Sequence, residues 1–263
     1  MNDLDDSWIL PLRTTGERVR LICFPYAGGG PYIFQKWSAW LPAHVGLYAV
    51  NLPGRGMRLQ HAPVNQLQLI VNAVVNDLHP LRDMPFAFFG HSMGALVAFE
   101  AARALRRQGL AGPRLLIASG CRPPQTADQR ERIHHLPDEA FLQKLKELGG
   151  TPKEILQSKE LMALLMPTLR ADFSVIDSYQ YEPGIPLDCP ITVVSGAQDE
   201  RARGTMMSDW RMQTSHMLSL QELQGGHFFI HTAEAELGKI VSRDLERWAA
   251  PSIYTSNGLA WWS

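Results

Sequence analysis

Short apolar runs alternate with segments of helical periodicity along most of this 263-residue chain, and this alternation constrains the fold more than any other feature. Such an alternation favours a parallel sheet whose faces are covered by helices. The predicted strands cover residues 19–24, 47–52, 86–89, 115–119, 191–195 and 217–223. The predicted helices between them cover residues 32–41, 67–81, 95–108 and 233–248. The sequence therefore predicts the α/β class, with a mostly parallel sheet flanked by helices.

The alternation stops between residues 123 and 182, where only helical patterns appear. These patterns lie at Asp138–Leu148, after the helix-start signal Thr151-Pro152-Lys153-Glu154, and from Ser158 onward with an interruption at Pro167. We interpret the segment as an inserted helical lid, with ordinary helical packing on the sheet as the alternative. The predicted division is a core at 1–122 and 183–250, a lid at 123–182 and a C-terminal tail at 251–263 that contains Trp261 and Trp262.

Charge and cysteine content exclude several classes of protein. Lys and Arg number 25 and Asp and Glu number 26, so the formal net charge of −1 lacks the field of a nucleic-acid binder. No apolar run reaches the ~18 residues of a membrane span, and the acidic, polar first residues differ from a secretory signal. The three cysteines are an odd number without metal-ligand spacing, which argues against disulfides and zinc. We expect a cytoplasmic monomer that binds neither membrane nor nucleic acid and holds no metal.

The most specific motif is Gly90-His91-Ser92-Met93-Gly94, which follows an apolar strand directly and runs directly into a helix. It matches the G-x-S-x-G nucleophile elbow of the α/β-hydrolase fold, where a sharp turn exposes the serine hydroxyl and leaves no room for bulky neighbours. The pattern alone is weak, but the strand before it and the helix after it are what the turn requires. The sequence therefore predicts Ser92 as a nucleophile, with the His91 side chain directed away from it.

A serine hydroxyl needs a base, and the chain has nine histidines. In the α/β-hydrolase order the base comes last, after the acid, which leaves His216, His227 and His231. We choose His227, because it lies on the loop after the last predicted strand. His216 precedes that strand at the opposite edge of the sheet, and His231 is interpreted as a residue at a helix start.

The acid that orients this base should follow an earlier strand at the same edge of the sheet. Asp199 lies just beyond the strand that ends in Ser195-Gly196, and its carboxylate would fix the His227 tautomer. Glu200 is the nearest alternative, whereas Asp188 precedes the strand and Asp209 is expected on a helix.

An oxyanion formed at Ser92 needs two backbone N–H donors. One follows the nucleophile at Met93, and the other is expected on the glycine-rich loop Tyr26-Ala27-Gly28-Gly29-Gly30, at Ala27 or alternatively at Tyr26 or Gly28. A phosphate-binding P-loop is excluded, because no Lys-Ser/Thr pair follows these glycines.

In this combination the chain resembles the type II (external, editing) thioesterases of nonribosomal peptide and polyketide synthases. The matching stretches span nearly the whole chain and are Phe24-Pro25-Tyr26-Ala27-Gly28-Gly29, Pro53-Gly54-Arg55-Gly56, Gly90-His91-Ser92-Met93-Gly94-Ala95, Leu169-Arg170-Ala171-Asp172-Phe173, Gly196-Ala197-Gln198-Asp199 and Gly225-Gly226-His227-Phe228-Phe229. The resemblance implies an α/β-hydrolase fold with a helical lid and a triad of Ser92, Asp199 and His227. It also implies hydrolysis of acyl or aminoacyl thioesters on the phosphopantetheine arm of an acyl or peptidyl carrier protein, with no cofactor besides the arm that the substrate carries.

From the residues alone, the site indicates a serine hydrolase but does not distinguish sulfur from oxygen leaving groups. A carboxylesterase or lipase, an acyltransferase and a non-catalytic binding module of the same fold therefore remain alternatives. Arginines at the predicted lid (Arg122, Arg130 and Arg132) could meet an acidic carrier protein and a phosphate, with a solvated surface as the other interpretation.

Overall fold

A computed structural model describes residues 6–129, 131–150 and 153–249. The predicted tail at 251–263 and residues Arg130, Thr151 and Pro152 lie outside the described residues. The described chain contains one seven-stranded sheet in the order β1-β3-β2-β4-β5-β6-β7. Its strands are β1 (Ile9–Arg13), β2 (Val19–Phe24), β3 (Val45–Val50), β4 (Phe86–His91), β5 (Leu116–Ser119), β6 (Ile191–Gly196) and β7 (Leu218–Leu223). Only β1 pairs antiparallel, with β3, so the predicted α/β class with a mostly parallel sheet is confirmed.

Helices connect the parallel strands. The α-helices are α1 (Leu67–Asp77), α2 (Met93–Arg107), α3 (Asp138–Leu148), α4 (Lys153–Gln157), α5 (Lys159–Asp177), α6 (Phe229–Thr232) and α7 (Glu234–Asp244). Short 3₁₀ helices lie at Pro31–Ala39, Gly56–Arg58, His79–Leu81, Pro124–Gln129 and Gly204–Gln213, and a π-helical turn lies at Leu245–Ala249. Among the residues that the structure describes, no helix combines the length and apolar character needed to cross a bilayer.

Three helix predictions need correction. The predicted helix at 32–41 is the 3₁₀ helix Pro31–Ala39, in which Pro31, Phe34 and Trp37 are buried at the spacing of three that suits a 3₁₀ turn. The helix predicted over 67–81 ends as an α-helix at Asp77, shortly before Pro80, which has no N–H for the next helical bond. The helix predicted at 233–248 is α-helical only to Asp244.

Strand β1 was not predicted from the sequence. It is five residues long and only partly buried, and Pro11 interrupts its apolar residues, so it differs from the uninterrupted runs of the central strands. Its place at the edge of the sheet is where a proline can be accommodated.

The sheet has a separate core on each face. Every residue of β2 and β4 is buried, as expected for strands covered on both sides. Alternate side chains pack against α1 and α2 on one face, and against the Pro31–Ala39 helix and α7 on the other. Because a shift by one residue would exchange these two faces, the register is fixed. The carboxyl ends of β2, β4, β6 and β7 are thereby held along one edge.

Between β5 and β6 the described residues form helices and no strand of the sheet. α3 has the bounds predicted for it and ends at Gly149, whose φ of 71° is left-handed. α5 continues through Pro167 as one helix, so the expected interruption does not divide it. α3 and α5 share an apolar cluster that contains Phe141, Leu145, Met162 and Leu169. The boundaries 123 and 182 of the lid stay a prediction.

Candidate active site

Ser92 lies on the turn that joins β4 to α2. Its φ of 54° makes it the one non-glycine residue with positive φ among those described. The turn is tight, since a Cβ on Gly94 would lie 2.0 Å from the Phe24 carbonyl oxygen, and a Cβ on Gly90 would lie 2.5 Å from Ala95 Cα. The Ser92 N–H also donates to the Ser119 carbonyl at the end of β5, at 2.8 Å. Glycines on both sides therefore permit the predicted elbow.

The three residues predicted to form a triad are adjacent in space. His227 Nε2 lies 2.9 Å from Ser92 Oγ, and His227 Nδ1 lies 2.7 Å from Asp199 Oδ2. Ser92 follows β4, Asp199 follows β6 and His227 follows β7, so the parallel sheet brings them to the same edge. With Asp199 ionised, Nδ1 carries the proton and Nε2 is free to accept the serine proton.

Asp199 is suited to remain ionised although it is only 1% exposed. Burial acts to raise its pKa, but the hydrogen bond and charge of His227 and the Arg201 backbone N–H outweigh burial, so the pKa of Asp199 lies below its ordinary value. The Arg201 N–H donates to Asp199 Oδ1 at 3.0 Å. Both carboxylate oxygens thus have a donor.

The structure places the rival residues elsewhere. Glu200 is exposed. Asp188 and His216 pair with each other at 2.9 Å, just before β6 and β7 begin, at the edge opposite Ser92. His231 lies within α6, where its Nε2 is 2.8 Å from the Tyr26 hydroxyl.

The two predicted oxyanion donors border the same cavity as Ser92 and His227. Ala27 and Met93 both line it, and the turn and loop hydrogen bonds between described residues use neither of their N–H groups as a donor. Both N–H groups are therefore available to a substrate oxygen.

This cavity has a volume of about 290 Å³ and lies between the sheet edge and the helices that follow β5. Its apolar wall is formed by Ile133, Leu148, Phe173, Ile176 and Phe228. Charged side chains also border it, namely Arg122, Glu131, Lys144, Asp177 and Arg201. The arrangement can hold an apolar group near Ser92 and an anionic group near the cations. Of the other arginines expected around the predicted lid, Arg132 is exposed and Arg130 lies outside the described residues. Among the described residues, no group of His, Cys, Asp and Glu side chains is arranged to hold a metal ion.

His91 has a structural connection that sequence reasoning missed. It is fully buried, its Nε2 is 2.9 Å from the His227 carbonyl oxygen and its Nδ1 is 2.9 Å from Ser119 Oγ. Burial, and to a smaller extent the positive charge of His227, hold the pKa of His91 well below 6.5, so the ring is neutral. Since only a donor can bond the carbonyl, Nε2 carries the proton and Nδ1 accepts from Ser119. His91 therefore supports the loop that carries the base.

A second connection joins Arg55 and Asp172, which belong to two of the motif stretches. Their side chains form a buried, bidentate ion pair beside the loop that contains Ala27. The sequence placed the two motifs but carried no signal that they meet. Periodicity shows which face of a helix is buried, but it does not show that a buried charge on the predicted lid pairs with a buried charge on a core loop.

Comparisons with known proteins agree with this geometry. A family model described as "Thioesterase domain" matches residues 19–247. The chain is 42% identical over 239 residues to the gramicidin S biosynthesis protein GrsT of Aneurinibacillus migulanus, covering 91% of this chain and 93% of that protein. Among solved structures, it resembles the RedJ thioesterase of the prodiginine pathway in Streptomyces coelicolor, with a TM-score of 0.82, 37% identity and coverage of 87% and 91%. It also resembles the type II thioesterase BorB of the borrelidin cluster, with a TM-score of 0.83, 30% identity and coverage of 93% and 100%.

The sheet topology and the serine on its elbow define an α/β hydrolase. Within that class, the match over residues 19–247 shows that the chain belongs to the thioesterase family, and its activity is thioester hydrolysis. The predicted resemblance to type II thioesterases is confirmed by the relatives and structures that match.

The backbone at Ser92 predicts an unusual order of stability between two variants. Ser92→Gly and Ser92→Ala both remove the hydroxyl, but only alanine keeps the strain of a positive φ, about 1–3 kcal/mol. Glycine loses about 0.5–1 kcal/mol through extra freedom in the unfolded chain. We expect the glycine variant to be more stable by about 1 kcal/mol in urea unfolding. The matched pair Ser242→Gly and Ser242→Ala, in the last turn of α7 just before the helical chain continues into the π-helical turn, should show the opposite order. Greater stability of Ser92→Ala than Ser92→Gly would contradict the strain.

Burial of neutral His91 predicts a loss of stability in mild acid. The lowered pKa of His91 means that below about pH 6.5 the unfolded chain binds a proton that the folded chain does not. The free energy of unfolding should therefore fall with decreasing pH, with a contribution from this residue of up to about 1.4 kcal/mol per pH unit. Chemical denaturation at pH 7.5 and about pH 5.5 should show a smaller fall for His91→Gln than for the wild type. His79→Gln, at an exposed site, is the control and should retain the wild-type dependence; equal falls in all three proteins would exclude the effect.

Proposed function

We propose that Ser92, His227 and Asp199 are the catalytic triad of a type II thioesterase that removes acyl or aminoacyl groups from the phosphopantetheine arm of carrier proteins. The observation that carries the proposal is the 2.9 Å contact between Ser92 Oγ and His227 Nε2 at the wall of a partly apolar cavity, in a chain of the thioesterase family. Two relatives belong by name to the gramicidin S and prodiginine pathways, which supports a role in clearing stalled or misprimed synthases.

The proposed reaction has two steps. His227 takes the proton of Ser92 as the hydroxyl attacks the thioester carbonyl, and Asp199 stabilises the resulting imidazolium. Collapse of the tetrahedral intermediate breaks the C–S bond, and the pantetheine thiolate takes the proton from His227. Water, deprotonated by the same histidine, then attacks the acyl-Ser92 ester. The second tetrahedral intermediate collapses with cleavage of the bond to Ser92 Oγ, which takes the proton back from His227 as the free acid leaves.

In both steps negative charge develops on the carbonyl oxygen of the substrate. The N–H groups of Ala27 and Met93 are proposed to stabilise this charge, each at a position fixed before the substrate arrives. The chemistry uses only protein groups, and the phosphopantetheine comes with the substrate, so we propose that the enzyme needs no cofactor.

The cavity wall fits the two ends of such a substrate. Phe173, Ile176 and Phe228 offer apolar surface to an acyl chain. Arg122 and Arg201 offer positive charge to the phosphate of the arm or to an acidic carrier protein. The Arg122 guanidinium also donates to the Arg201 carbonyl, at 2.9 Å from Nη2, so Arg122 is held beside the backbone of the other arginine.

The substrate assignment is tested with an acylated carrier protein. Incubation with acetyl- and aminoacyl-phosphopantetheinyl carrier protein should return the carrier to its free-thiol mass, because Ser92 is proposed to take the acyl group from the arm and pass it to water. Ser92→Ala, which lacks the nucleophile, is the control and should leave the carrier acylated. Retention of the acyl group by the wild type at every chain length, with rapid hydrolysis of a matched oxygen ester, would reassign the enzyme as an esterase.

The acid assignment is tested by Asp199→Asn against Glu200→Gln. An asparagine can donate to His227 Nδ1 and favour the tautomer that cannot accept the serine proton, so kcat should fall by about 10³–10⁴-fold. Glu200 is exposed, and its variant should keep kcat within about twofold. Hydrolysis of an acyl-N-acetylcysteamine thioester measures both. A kcat for Asp199→Asn close to that of the wild type would show that another group orients the base.

A further inference from the structure

Two segments far apart in the chain meet at a buried ion pair. Arg55 Nη2 donates to Asp172 Oδ1 and Arg55 Nη1 donates to Asp172 Oδ2, each at 2.7 Å. Arg55 follows β3 in the Pro53-Gly54-Arg55-Gly56 stretch, and Asp172 lies in the second half of α5. Arg55 is 6% exposed and Asp172 is 0% exposed. Such a pair has the bidentate geometry that makes arginine–carboxylate contacts strong and directional.

Each partner also binds the loop that carries the proposed oxyanion donor. The Gly28 N–H donates to Asp172 Oδ2 at 2.7 Å, and Arg55 Nη1 donates to the Gly29 carbonyl at 3.0 Å. The Gly29 N–H closes a turn by donating to the Tyr26 carbonyl at 2.8 Å. The peptide that carries the Ala27 N–H therefore lies in a turn whose last two residues, Gly28 and Gly29, are hydrogen-bonded to the ion pair.

Packing reinforces these hydrogen bonds. A Cβ on Gly28 would lie 2.8 Å from Leu169 Cδ2, so a larger residue there would have to displace the end of that α5 side chain. Gly28 also has a φ of 80°, which glycine adopts without strain. Leu169 of α5 thus packs directly against the loop at Gly28.

Stability alone does not account for this pair. Removing two charges from water costs free energy that their attraction often fails to recover, and apolar residues of similar volume frequently stabilise as well or better. A carboxylate beside the oxyanion site would also oppose the developing negative charge if no cation compensated it. Both considerations favour a role in the geometry and electrostatics of the site.

We infer that Arg55 and Asp172 are positioning residues that hold the Ala27 N–H in place for the oxyanion. This inference rests on the proposed function, because it assigns the loop after β2 to oxyanion binding. Neither side chain touches the substrate; both act through the backbone of Gly28 and Gly29.

The central test compares Asp172→Asn with Thr168→Val. Thr168, one turn earlier on α5, donates to the Gly54 carbonyl at 2.6 Å and so joins the same helix to the same loop as Arg55, but it does not bind residues 27–29. Asp172→Asn should lower kcat by about 10–100-fold with KM within about twofold, as expected when an oxyanion donor is misplaced. Thr168→Val should keep kcat within about twofold. The substrates are a p-nitrophenyl ester and an acyl-N-acetylcysteamine thioester, which require no carrier protein.

Two ligands separate positioning from a general structural defect. An acyl trifluoromethyl ketone forms a tetrahedral adduct with Ser92 and places an oxyanion at the donors, whereas a thioether analogue of the substrate binds without one. Asp172→Asn should weaken the ketone in proportion to its loss of kcat/KM and leave the thioether affinity unchanged. Equal weakening of both ligands, or a kcat within twofold of the wild type, would overturn the inference.

Further variants test the same inference if Asp172→Asn does not fold. Arg55→Lys keeps the charge but loses the bidentate geometry and should show the same pattern. The apolar pair Arg55→Met with Asp172→Leu should recover stability without recovering kcat, because the loop stays unsupported. Recovery of both would mean that the ion pair serves folding alone. If wild-type enzyme forms no ketone adduct, the proposed function itself fails; if it forms the adduct but leaves carrier proteins acylated, only the substrate assignment fails.

Discussion

Close approaches between backbone segments set the distances on which the site depends. Gly94 lets the first turn of α2 press against the Phe24 carbonyl, so that Ser92 lies beside the loop that follows β2. Gly196 lets the strand end before Asp199 approach the loop before His227, since a Cβ there would lie 2.6 Å from the carbonyl oxygens of Gly225 and Gly226. The central strands are covered by helices on both faces, and they hold these backbone segments at their observed separations. The contacts of 2.9 Å and 2.7 Å along Ser92, His227 and Asp199 follow from backbone packing more than from side-chain choice.

Two buried carboxylates near the Ser92 turn, Asp199 and Asp172, have different partners. Asp199 is compensated mainly by His227, which becomes cationic in the proposed reaction. Asp172 forms an ion pair with Arg55, and its Oδ2 also accepts a hydrogen bond from the Gly28 N–H. His91 is kept neutral beside the proposed base His227, so it adds no positive charge that would compete with the imidazolium of the proposed reaction. The Asp199 carboxylate contacts His227 Nδ1 directly and can respond to a proton on that ring.

Features that depend on a single segment of the chain, such as a strand and the residue that follows it, could be predicted from the sequence. The central strands are continuous apolar runs, and Ser92 and Asp199 each follow such a run. His227 follows the last predicted strand, β7, which mixes apolar and polar residues, so strand order and sheet edge together select the three residues. In strand β1 the apolar residues are interrupted by Pro11, which is unusual in a central strand but is tolerated at an edge. The contacts of His91 and the pairing of Arg55 with Asp172 join segments 136 and 117 positions apart. Nothing in the residue pattern of one segment specifies a partner at that distance, so these contacts appear only in three dimensions.

The attachments of α5 differ between its two halves, and this limits how the inserted segment can admit a substrate. Thr168, Asp172 and Val175 in its second half bind or pack against the core. The first half packs through Met162 on α3 instead. Displacing the second half would break the ion pair with Arg55 and release the turn around Ala27, so it would remove an oxyanion donor as it opened the cavity. A displacement of α3, α4 and the first half of α5 would leave those contacts intact. The proposed oxyanion site would therefore stay intact during admission of the proposed pantetheine arm only if any opening were confined to the part of the segment before Pro167.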